Sequence, residues 1–560
     1  MTITTPEPTA AAPAFPAPEH STLCAAFQAT AAAHGERVAL RTPGDGVAVT
    51  WAGYTERVRA TAARLARLGV GRGDTVALLL TNRPEAAWVD GAGMHLGAAG
   101  LSLYLAGTPA ANAYVLDDAD VRVLVTERRF AGLVPGLRRA CPKLEHVIGI
   151  DGAAPGATAL EELSPPPGFD LETAAAGVLP DDRIALMYTS GTTGVPKGVV
   201  YTHRAMLRVF STLDPSLPAL DWLATVAFLP FAHAGQRAMG HYRSLVRGST
   251  TTFCADPQQL PAAIADSRPT SLFAPPAVWQ GLAAGARAAM ANDPAAQAAH
   301  ARALEQVRAK RIPDDAAALA AVRARIGADR LVHPIVSAAP SSPALLEDLH
   351  ALGVPVMNLY ALTELPPITV TRPHPADIGT AGRPVAGVEL RLGERGEVLV
   401  RHPAHSSGYH RRPAQTAALF DVHGWGHTGD VGMLDAEGRL TLDGRRDERF
   451  ATAFGTNIDP VRVETALRAE CPSIAQACVI GDSRPYLVAL ITLQGDAGAV
   501  ADAVERVNAQ LPETGRIQRY AVLEDAWPPG SDELTPTMKL RRAAVHARYA
   551  DHIEALYAEG

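Results

Sequence analysis

The sequence is short of cysteine, of clustered positive charge and of long apolar runs. Its five cysteines are odd in number and form no C-x-x-C pair, which excludes a disulfide framework and a paired-cysteine zinc site. Its 51 basic and 58 acidic residues give a net charge of -7 without a long basic block, so the charge pattern argues against a nucleic-acid partner. No apolar run of about 18 residues is present, so we expect no membrane span. These absences favour a cytoplasmic protein that acts on small molecules.

Length and local composition divide the chain into several parts. A chain of 560 residues exceeds what one hydrophobic core supports. Residues 1–20 contain prolines at short intervals but neither a basic segment nor a long apolar one, so we expect a disordered leader rather than a signal peptide. From Ser21 onward, short β-type runs alternate with alanine-rich helical runs, which predicts α/β layers around largely parallel sheets.

The later part of the chain changes character three times. Alanine and arginine dominate between Ala283 and Arg325, which predicts an extended helical region. Short strands and tight turns from about 383 to 444 predict a β-rich subdomain that completes an N-terminal domain over 21–444. Residues 445–560 carry helices and strands of their own, which predicts a small α+β C-terminal domain.

The segment from Thr189 to Gly198 reads TSGTTGVPKG and follows an apolar run. A strand that ends in a loop of glycines, hydroxyls and one lysine suits an anionic polyphosphate, because glycine permits close backbone approach and the polar side chains supply donors and charge. It is not a Walker A loop, because Pro196 stands where that motif requires its second glycine. A flexible surface loop is the alternative. The predicted phosphate-binding residues are Thr189, Ser190, Gly191, Thr192, Thr193, Gly194 and Lys197.

A hydroxyl and a carboxylate follow a second apolar run, at 354–357. Thr363 and Glu364 close the segment YALTE, at the end of a predicted strand, where open α/β sheets bind ligands. Glu364 suits Mg2+, since hard cations take oxygen ligands. The start of an exposed helix is the alternative.

Three later segments have polar residues at turns. Asp430, between glycines in WGHTGD, has two carboxylate oxygens that suit both hydroxyls of a ribose, with a structural turn as the alternative. The segment GRRD at 444–447 is a charged break before the last domain and alone would pass as a linker. Lys539 follows a Thr-Pro turn in LTPTMKLRR, which can deliver it into a neighbouring cleft unless the segment is a plain basic tail.

In this order, these segments resemble the adenylate-forming superfamily of acyl-CoA synthetases, firefly luciferase and the adenylation domains of peptide synthetases. The resemblance covers nearly the whole chain from Ser21 and is closest to the long-chain acyl-CoA synthetases. It extends to further segments: LPFAH at 229–233, FAPPAVW at 273–279, VSAAP at 336–340, HTGDVGMLD at 427–435, GRRDE at 444–448 and NIDP at 457–460.

The resemblance implies a large N-terminal domain of two α/β subdomains and a small β-barrel-like one, with a small mobile C-terminal domain that rotates about a hinge at Asp447. It implies ATP and Mg2+ as cofactors, and a small-molecule acid and a nucleophilic acceptor as partners. The residue roles that it implies are Ala338, Ala339 and Tyr360 beside adenine, Thr363 and Glu364 at phosphate and Mg2+, Asp430 and Arg445 at the ribose, and Lys539 at the reacting carboxylate and α-phosphate.

The acid side of the implied site is less defined. His233 lies where the family has an aromatic residue or a histidine beside the carboxylate of the acid, and a buried structural histidine is the alternative. Gln236 and Arg237 follow closely and indicate an acid that is less apolar than a long fatty acid.

The acceptor half departs from the family pattern. Phe454, followed by Gly455 at the implied acceptor tunnel, stands where acyl-CoA synthetases usually carry a glycine that lets pantetheine pass. A benzyl group at a point of close backbone approach is expected to narrow or close a thiol tunnel. The alternative is that Phe454 swings aside and leaves CoA transfer unharmed.

Three functions follow from these observations. The family default is an AMP-forming acid:CoA ligase. The second is an adenylating enzyme with another acceptor: an amine giving an amide, a carrier-protein thiol, or nitrite activation for diazotisation of an aryl amine. The third, a nucleotide-binding protein with attenuated catalysis, is disfavoured because Lys539, Glu364 and Asp430 are all present.

Overall fold

A computed structural model of the chain describes residues 17–189 and 195–558. Most of the leader predicted for 1–20 lies outside these ranges. Within them, no helix is both long and apolar enough to cross a bilayer. The described segments form the predicted large α/β N-terminal domain and a smaller C-terminal domain.

A seven-stranded sheet forms the first layer. Its strands are parallel except for the last pair, which is antiparallel. All five residues of the central strand are buried, as expected for a parallel sheet covered on both faces. In spatial order the strands are Thr158–Ala159, His146–Gly149, Val123–Thr126, Thr75–Leu79, Ala99–Ser102, Arg183–Thr189 and Lys197–Thr202.

Two further sheets complete the α/β part. In the five-stranded sheet, the first three strands are parallel, so their carboxyl ends meet at one edge. The four-stranded sheet has the order Leu223–Ala227, Ser249–Phe253, Val38–Arg41 and Ala48–Thr50. The five-stranded sheet has the order Ser271–Ala274, His333–Val336, Met357–Tyr360, Thr369–Val370 and Arg383–Pro384.

The helix Trp51–Arg67 shows how the sequence sets helix ends. Thr50 caps its start by accepting a hydrogen bond from the Gly53 N–H. The chain then turns at Gly69, whose φ of 75° lies in the left-handed region that glycine adopts without strain.

The extended helical region predicted between Ala283 and Arg325 consists of three α-helices and a short 3-10 helix, and a π-helix spans Gln236–Tyr242. The α-helices of the N-terminal domain are Leu23–His34, Trp51–Arg67, Pro84–His95, Pro109–Asp118, Val134–Ala140, Leu171–Ala176, His203–Leu213, Arg243–Arg247, Leu260–Ser267, Pro276–Met290, Pro294–Arg308, Ala320–Arg325, Pro343–Ala351 and Pro413–Leu419.

The predicted β-rich subdomain is a four-stranded antiparallel sheet. Tight turns at 393–396 and 435–438 connect its outer pairs of strands, as their glycines indicate. In order, the strands are Glu389–Leu392, Glu397–Arg401, Gly426–Leu434 and Leu440–Arg445.

The C-terminal domain has a three-stranded sheet with helices on both faces. Alternate residues of the middle strand enter two separate apolar clusters, one on each face. The strands are Ile474–Ile480, Leu487–Leu493 and Ile517–Val522, and a small hairpin pairs Phe450–Ala451 with Asn457–Ile458. The helices are Pro460–Glu470, Val500–Asn508, Arg542–Arg548 and Ala550–Ala558.

A buried ion pair joins the helix Arg542–Arg548 to the helix Pro460–Glu470, and the same carboxylate is bonded to the sheet. Both terminal nitrogens of Arg542 donate to the Glu464 carboxylate at 2.7 Å, and the Val479 N–H donates to the same carboxylate at 2.8 Å. Glu464 is only 3% exposed, so its charge depends on these partners. The pair therefore anchors the chain three residues after Lys539.

We expect Arg542→Met to destabilise the C-terminal domain by about 3–5 kcal/mol, because it leaves a buried carboxylate without its partner. Hydrogen exchange of the strand Ile474–Ile480 in the intact chain measures this. Arg506→Met is the control, since its pair with Glu470 is exposed and worth about 0–1 kcal/mol. Adding Glu464→Gln to Arg542→Met should recover much of the loss, and equal exchange in all variants would contradict the anchoring role.

Candidate active site

The predicted phosphate loop joins two antiparallel strands at the edge of the seven-stranded sheet. Thr189 and Lys197 are directly paired at the end of these strands, so the loop leaves and re-enters the sheet at one point. The other predicted residues lie outside the described residues: Ser190, Gly191, Thr192, Thr193 and Gly194.

Sequence reasoning missed Tyr409, which lies beside Lys197. The Lys197 ammonium is 4.7 Å from the centre of the Tyr409 ring, and the Tyr409 hydroxyl donates to Glu364 Oε1 at 2.6 Å. Nothing in the sequence marks this residue, since it is one tyrosine in a loop more than 200 residues along the chain from Lys197. It brings the loop lysine and the predicted Mg2+ ligand to one place.

Two neighbouring segments fix the backbone around Thr363 and Glu364. The Tyr201 hydroxyl donates to the Thr363 carbonyl at 2.9 Å, and the Ser406 N–H donates to the Glu364 carbonyl at 3.0 Å. Among the described residues, no three His, Cys, Asp or Glu side chains form a metal-binding cluster. Mg2+ that is bound together with substrate phosphates needs only one or two carboxylates. Glu364, half-buried, fits that requirement.

The predicted adenine-binding turn follows the strand His333–Val336. Ala338 and Ala339 are exposed there, and Ala338 has a φ of 72°. That conformation costs a residue with a Cβ about 1–2 kcal/mol. The Ser337 hydroxyl donates to the Leu359 carbonyl at 2.7 Å, which ties the turn to the neighbouring strand. The turn therefore presents backbone and two small side chains beside the strand that ends at Tyr360.

Asp430, Tyr360 and Arg445 form one polar cluster. The Tyr360 hydroxyl donates to one carboxylate oxygen of Asp430, and Arg445 Nη1 lies 3.4 Å from the other. Burial raises the pKa of Asp430, while the Tyr360 hydrogen bond and the charges of Arg445 and Lys539 act in the opposite direction. A carboxylate has about four acceptor sites, so sites remain for other donors. Three of the five residues predicted around the nucleoside are therefore in contact.

The predicted hinge residue lies two positions further on. Arg445 Nε is 3.2 Å from Asp447 Oδ1, so Arg445 contacts Asp430 in the β-rich subdomain and Asp447 in the link to the C-terminal domain. The Arg446 guanidinium contacts Glu397 at 2.7 Å.

Lys539 lies on a tight turn of the C-terminal domain. The fully buried Thr535 fixes this turn, because its N–H donates to the Lys539 carbonyl at 2.9 Å and its hydroxyl accepts from the Lys539 N–H at 3.0 Å. The positive charge of Lys539 contributes to the lowered pKa of His233 and opposes the burial that raises the pKa of Asp430. The two domains meet closely elsewhere too, since a Cβ added to Gly530 would lie 1.9 Å from the Ala106 carbonyl oxygen.

His233 is neutral at physiological pH. Burial, with a smaller contribution from the Lys539 charge, lowers the pKa of His233 to about 4. The Gly235 N–H donates to His233 Nδ1 at 3.1 Å, so the proton of the neutral ring is on Nε2. His233 can therefore offer one N–H donor.

The indication of an acid less apolar than a long fatty acid loses the support of Arg237, whose charge is paired in the core. Arg237 is 2% exposed, and its guanidinium contacts Asp90 at 2.7 Å and Ser102 at 3.1 Å. His241 Nε2 lies 3.1 Å from the other oxygen of Asp90. Asp90, nearly 150 residues earlier in the chain, neutralises Arg237, so that its charge is committed to the core.

Phe454 and Gly455 lie at the tip of the hairpin that begins the C-terminal domain. Gly455 has a φ of 78°, and its N–H donates to the Thr452 carbonyl at 2.8 Å. The Phe454 side chain is 69% exposed. With Lys539 in the cleft, the predicted tunnel residues therefore face solvent.

Residues 27–410 match the family described as AMP-binding enzyme, and residues 447–560 match its C-terminal domain. The chain belongs to the AMP-binding enzyme family. A long-chain-fatty-acid–CoA ligase of Mycobacterium tuberculosis, FadD15, is 31% identical to this AMP-binding enzyme, with 91% of this chain and 92% of that protein covered. This enzyme is therefore an ATP-dependent adenylating ligase of the acyl-CoA synthetase family.

Solved structures share the fold of this AMP-binding enzyme. The anthranilate CoA ligase AuaEII, in complex with anthranoyl-AMP, is 21% identical with a TM-score of 0.75, covering 94% of this chain and 97% of that one. The amide bond synthetase McbA from Marinactinospora thermotolerans is 22% identical with a TM-score of 0.72, covering 94% and 99%.

We expect Lys539→Met to raise the pKa of His233 part of the way from about 4 toward 6.5, because a nearby positive charge is removed. NMR titration of histidine-labelled enzyme measures this. Burial also lowers the pKa of His402 to about 4, but Lys539 does not act on it, so its titration is the control and should not move. Since the folded pKa of His233 lies below its ordinary value, protonation of His233 destabilises the fold as pH falls from 6.5 to 4, and the variant should lessen that loss. An unchanged His233 titration would place Lys539 outside the cleft in solution.

Proposed function

We propose that this enzyme activates a carboxylic acid with ATP, releases pyrophosphate, and transfers the acyl group from the adenylate to a nucleophilic acceptor. The observation that carries the proposal is the turn that Thr535 fixes around Lys539, together with the effect of the Lys539 charge on the pKa values of His233 and Asp430. The predicted acid side and the predicted nucleotide side meet there. An acid and the α-phosphate of ATP must come together at such a point.

The reaction brings a carboxylate against a triphosphate, two anions that repel each other. Lys539 neutralises part of the charge on the α-phosphate and on the attacking carboxylate. Thr189, Lys197 and the residues 190–194 bind the β- and γ-phosphates, with Thr363 beside them. Glu364 holds Mg2+, which when bound supplies further neutralisation of phosphate oxygens.

The remaining roles concern binding and orientation. Asp430 and Arg445 hold the ribose, and Ala338, Ala339 and Tyr360 line the adenine. His233 donates its Nε2–H to the acid carboxylate, since the neutral ring keeps its proton there at physiological pH. Asp447 is the hinge about which the C-terminal domain turns between the two half-reactions.

CoA is the acceptor by family default, as the name of the FadD15 relative supports. One observation favours a different acceptor. Phe454 occupies the tip of an exposed hairpin, next to Gly455 with its left-handed backbone. If this hairpin enters the cleft for the second half-reaction, the ring occupies space that a pantetheine chain requires. An amine, or an aryl amine after nitrite activation, then takes the place of CoA, whereas a carrier-protein thiol on a pantetheine arm would meet the same obstruction.

Pyrophosphate release tests the activation step. We expect ATP-dependent release with at least one member of a panel of aliphatic acids, aryl acids and nitrite, each assayed with and without CoA or an amine. Lys539→Met should lower this release about a hundredfold or more, the loss typical of a group that stabilises transition-state charge. Lys310→Met, at an exposed lysine, is the control and should retain activity. Release by Lys539→Met at the unmodified rate would refute the role of Lys539.

The acceptor question has its own test. If Phe454 obstructs pantetheine, Phe454→Gly should increase CoA thioester formation several-fold at unchanged pyrophosphate release, because a small residue reopens the path. Val422→Gly is the matched control, since Val422 is 96% exposed on the N-terminal domain. Robust thioester synthesis by the unmodified enzyme, without a gain in Phe454→Gly, would refute the obstruction and support CoA as the acceptor.

A further inference from the structure

Tyr409 contacts two groups of opposite charge through different parts of its side chain. Its hydroxyl donates to Glu364 Oε1 at 2.6 Å. The Lys197 ammonium lies over its ring, 4.7 Å from the centre, within the range of a cation–π contact. One half-buried aromatic residue therefore stands between the lysine of the phosphate loop and the carboxylate proposed to hold Mg2+.

The backbone around Tyr409 is held on two sides. The Val200 N–H donates to the Gly408 carbonyl at 2.9 Å, and the His410 N–H donates to the Gly198 carbonyl at 2.7 Å, so residues 408–410 extend the edge of the seven-stranded sheet. On the other side, the Tyr409 N–H donates to the Thr416 hydroxyl at 2.9 Å. These bonds fix where the ring projects.

The charges on either side of the ring remain separate. Within the described ranges, no ion pair joins Lys197 to a carboxylate. A direct Lys197–Glu364 pair would consume the charge that the phosphates need and an oxygen that a cation needs. With Tyr409 between them, the ammonium rests on a π face that leaves N–H donors free, and Glu364 Oε2 remains available as a ligand.

We propose that Tyr409 is a positioning residue that keeps Lys197 and Glu364 apart and oriented for a polyphosphate and its divalent cation. The ring positions Lys197, and the hydroxyl positions Glu364. The inference rests on the proposed function, because both groups act on the nucleotide only in an ATP-using enzyme.

The two parts of the side chain can be removed separately. Tyr409→Phe keeps the ring and removes the hydroxyl, while Tyr409→Leu removes both. The first measurement is ATP affinity by calorimetry in EDTA, which reports on Lys197 without a metal. The second is the Mg2+ concentration for half-maximal pyrophosphate release. Tyr486→Phe and Tyr486→Leu are matched controls on a half-buried tyrosine of the C-terminal domain, and thermal melting checks the fold of each variant.

We expect Tyr409→Phe to bind metal-free ATP within about twofold of the unmodified enzyme but to need about tenfold more Mg2+, the effect of losing one hydrogen bond to a charged group. Tyr409→Leu should show the same Mg2+ requirement and bind metal-free ATP about fivefold more weakly, because the lysine loses its support. The Tyr486 variants should change neither quantity.

Three results would overturn the inference. They are an unchanged Mg2+ requirement in Tyr409→Phe, an unchanged metal-free affinity in Tyr409→Leu, and losses in both variants that simply follow a lower melting temperature. Failure of the proposed function has a different signature, since the unmodified enzyme would then release no pyrophosphate with any acid. The metal-free ATP affinities of the Phe and Leu variants would still decide the part that concerns Lys197.

Discussion

The approach of Lys539 to His233 and Asp430 is the interaction on which the rest of the site depends. It is an electrostatic interaction between domains that contributes to the lowered pKa of His233 and opposes the burial that raises the pKa of Asp430. A single flexible side chain cannot hold such a contact unless its backbone is fixed. Thr535 fixes the turn from below, and the Arg542–Glu464 pair fixes the chain just beyond it. Burying the Arg542–Glu464 pair costs desolvation free energy. In return, the pair fixes the backbone next to Lys539 and so gives the lysine a defined position.

On the N-terminal side of the cleft, tyrosine side chains position the groups of the site. Tyrosines join segments that are remote in sequence: Tyr360 contacts Asp430, Tyr201 contacts the Thr363 carbonyl, and Tyr409 contacts Glu364. A phenol suits this use because it is rigid, has an apolar body that packs, and carries one donor at its end. The carboxylates proposed to meet a ribose or a cation are thereby oriented without a direct cation contact on every oxygen. The charged groups are proposed to bind the substrates, and the tyrosines hold those groups in their orientations.

The α/β architecture and the family could be predicted from the sequence, because local periodicity indicates the first and the order of the motifs indicates the second. It did not reveal contacts that only the tertiary fold creates. Tyr409 has no local signal, and its importance arises when its loop joins the sheet edge beside Lys197. Arg237 was misread for the same reason, since Asp90 lies far away in sequence and meets it only in the core. The left-handed backbone at Ala338 also escaped notice, because alanine rarely adopts it and nothing but its tertiary setting imposes it. Motif reasoning thus located the charged groups and missed what orients them.

The geometry at the domain link bears on how one cleft serves two half-reactions. Arg445 contacts Asp430 on one side and Asp447 on the other, so the proposed ribose site and the proposed hinge share one guanidinium. A turn of the C-terminal domain about the proposed hinge would alter the Arg445–Asp447 contact, whereas Arg445 and Asp430 lie on paired strands of the β-rich sheet. If ribose binds at Asp430 and Arg445 as proposed, its binding changes the environment of the guanidinium that also contacts Asp447. On the proposed function, binding of the nucleotide therefore also shifts the orientation of the C-terminal domain, which carries both Lys539 and Phe454. If the hairpin that carries Phe454 enters the cleft in that second arrangement, its exposed phenyl ring is the group proposed to select the acceptor.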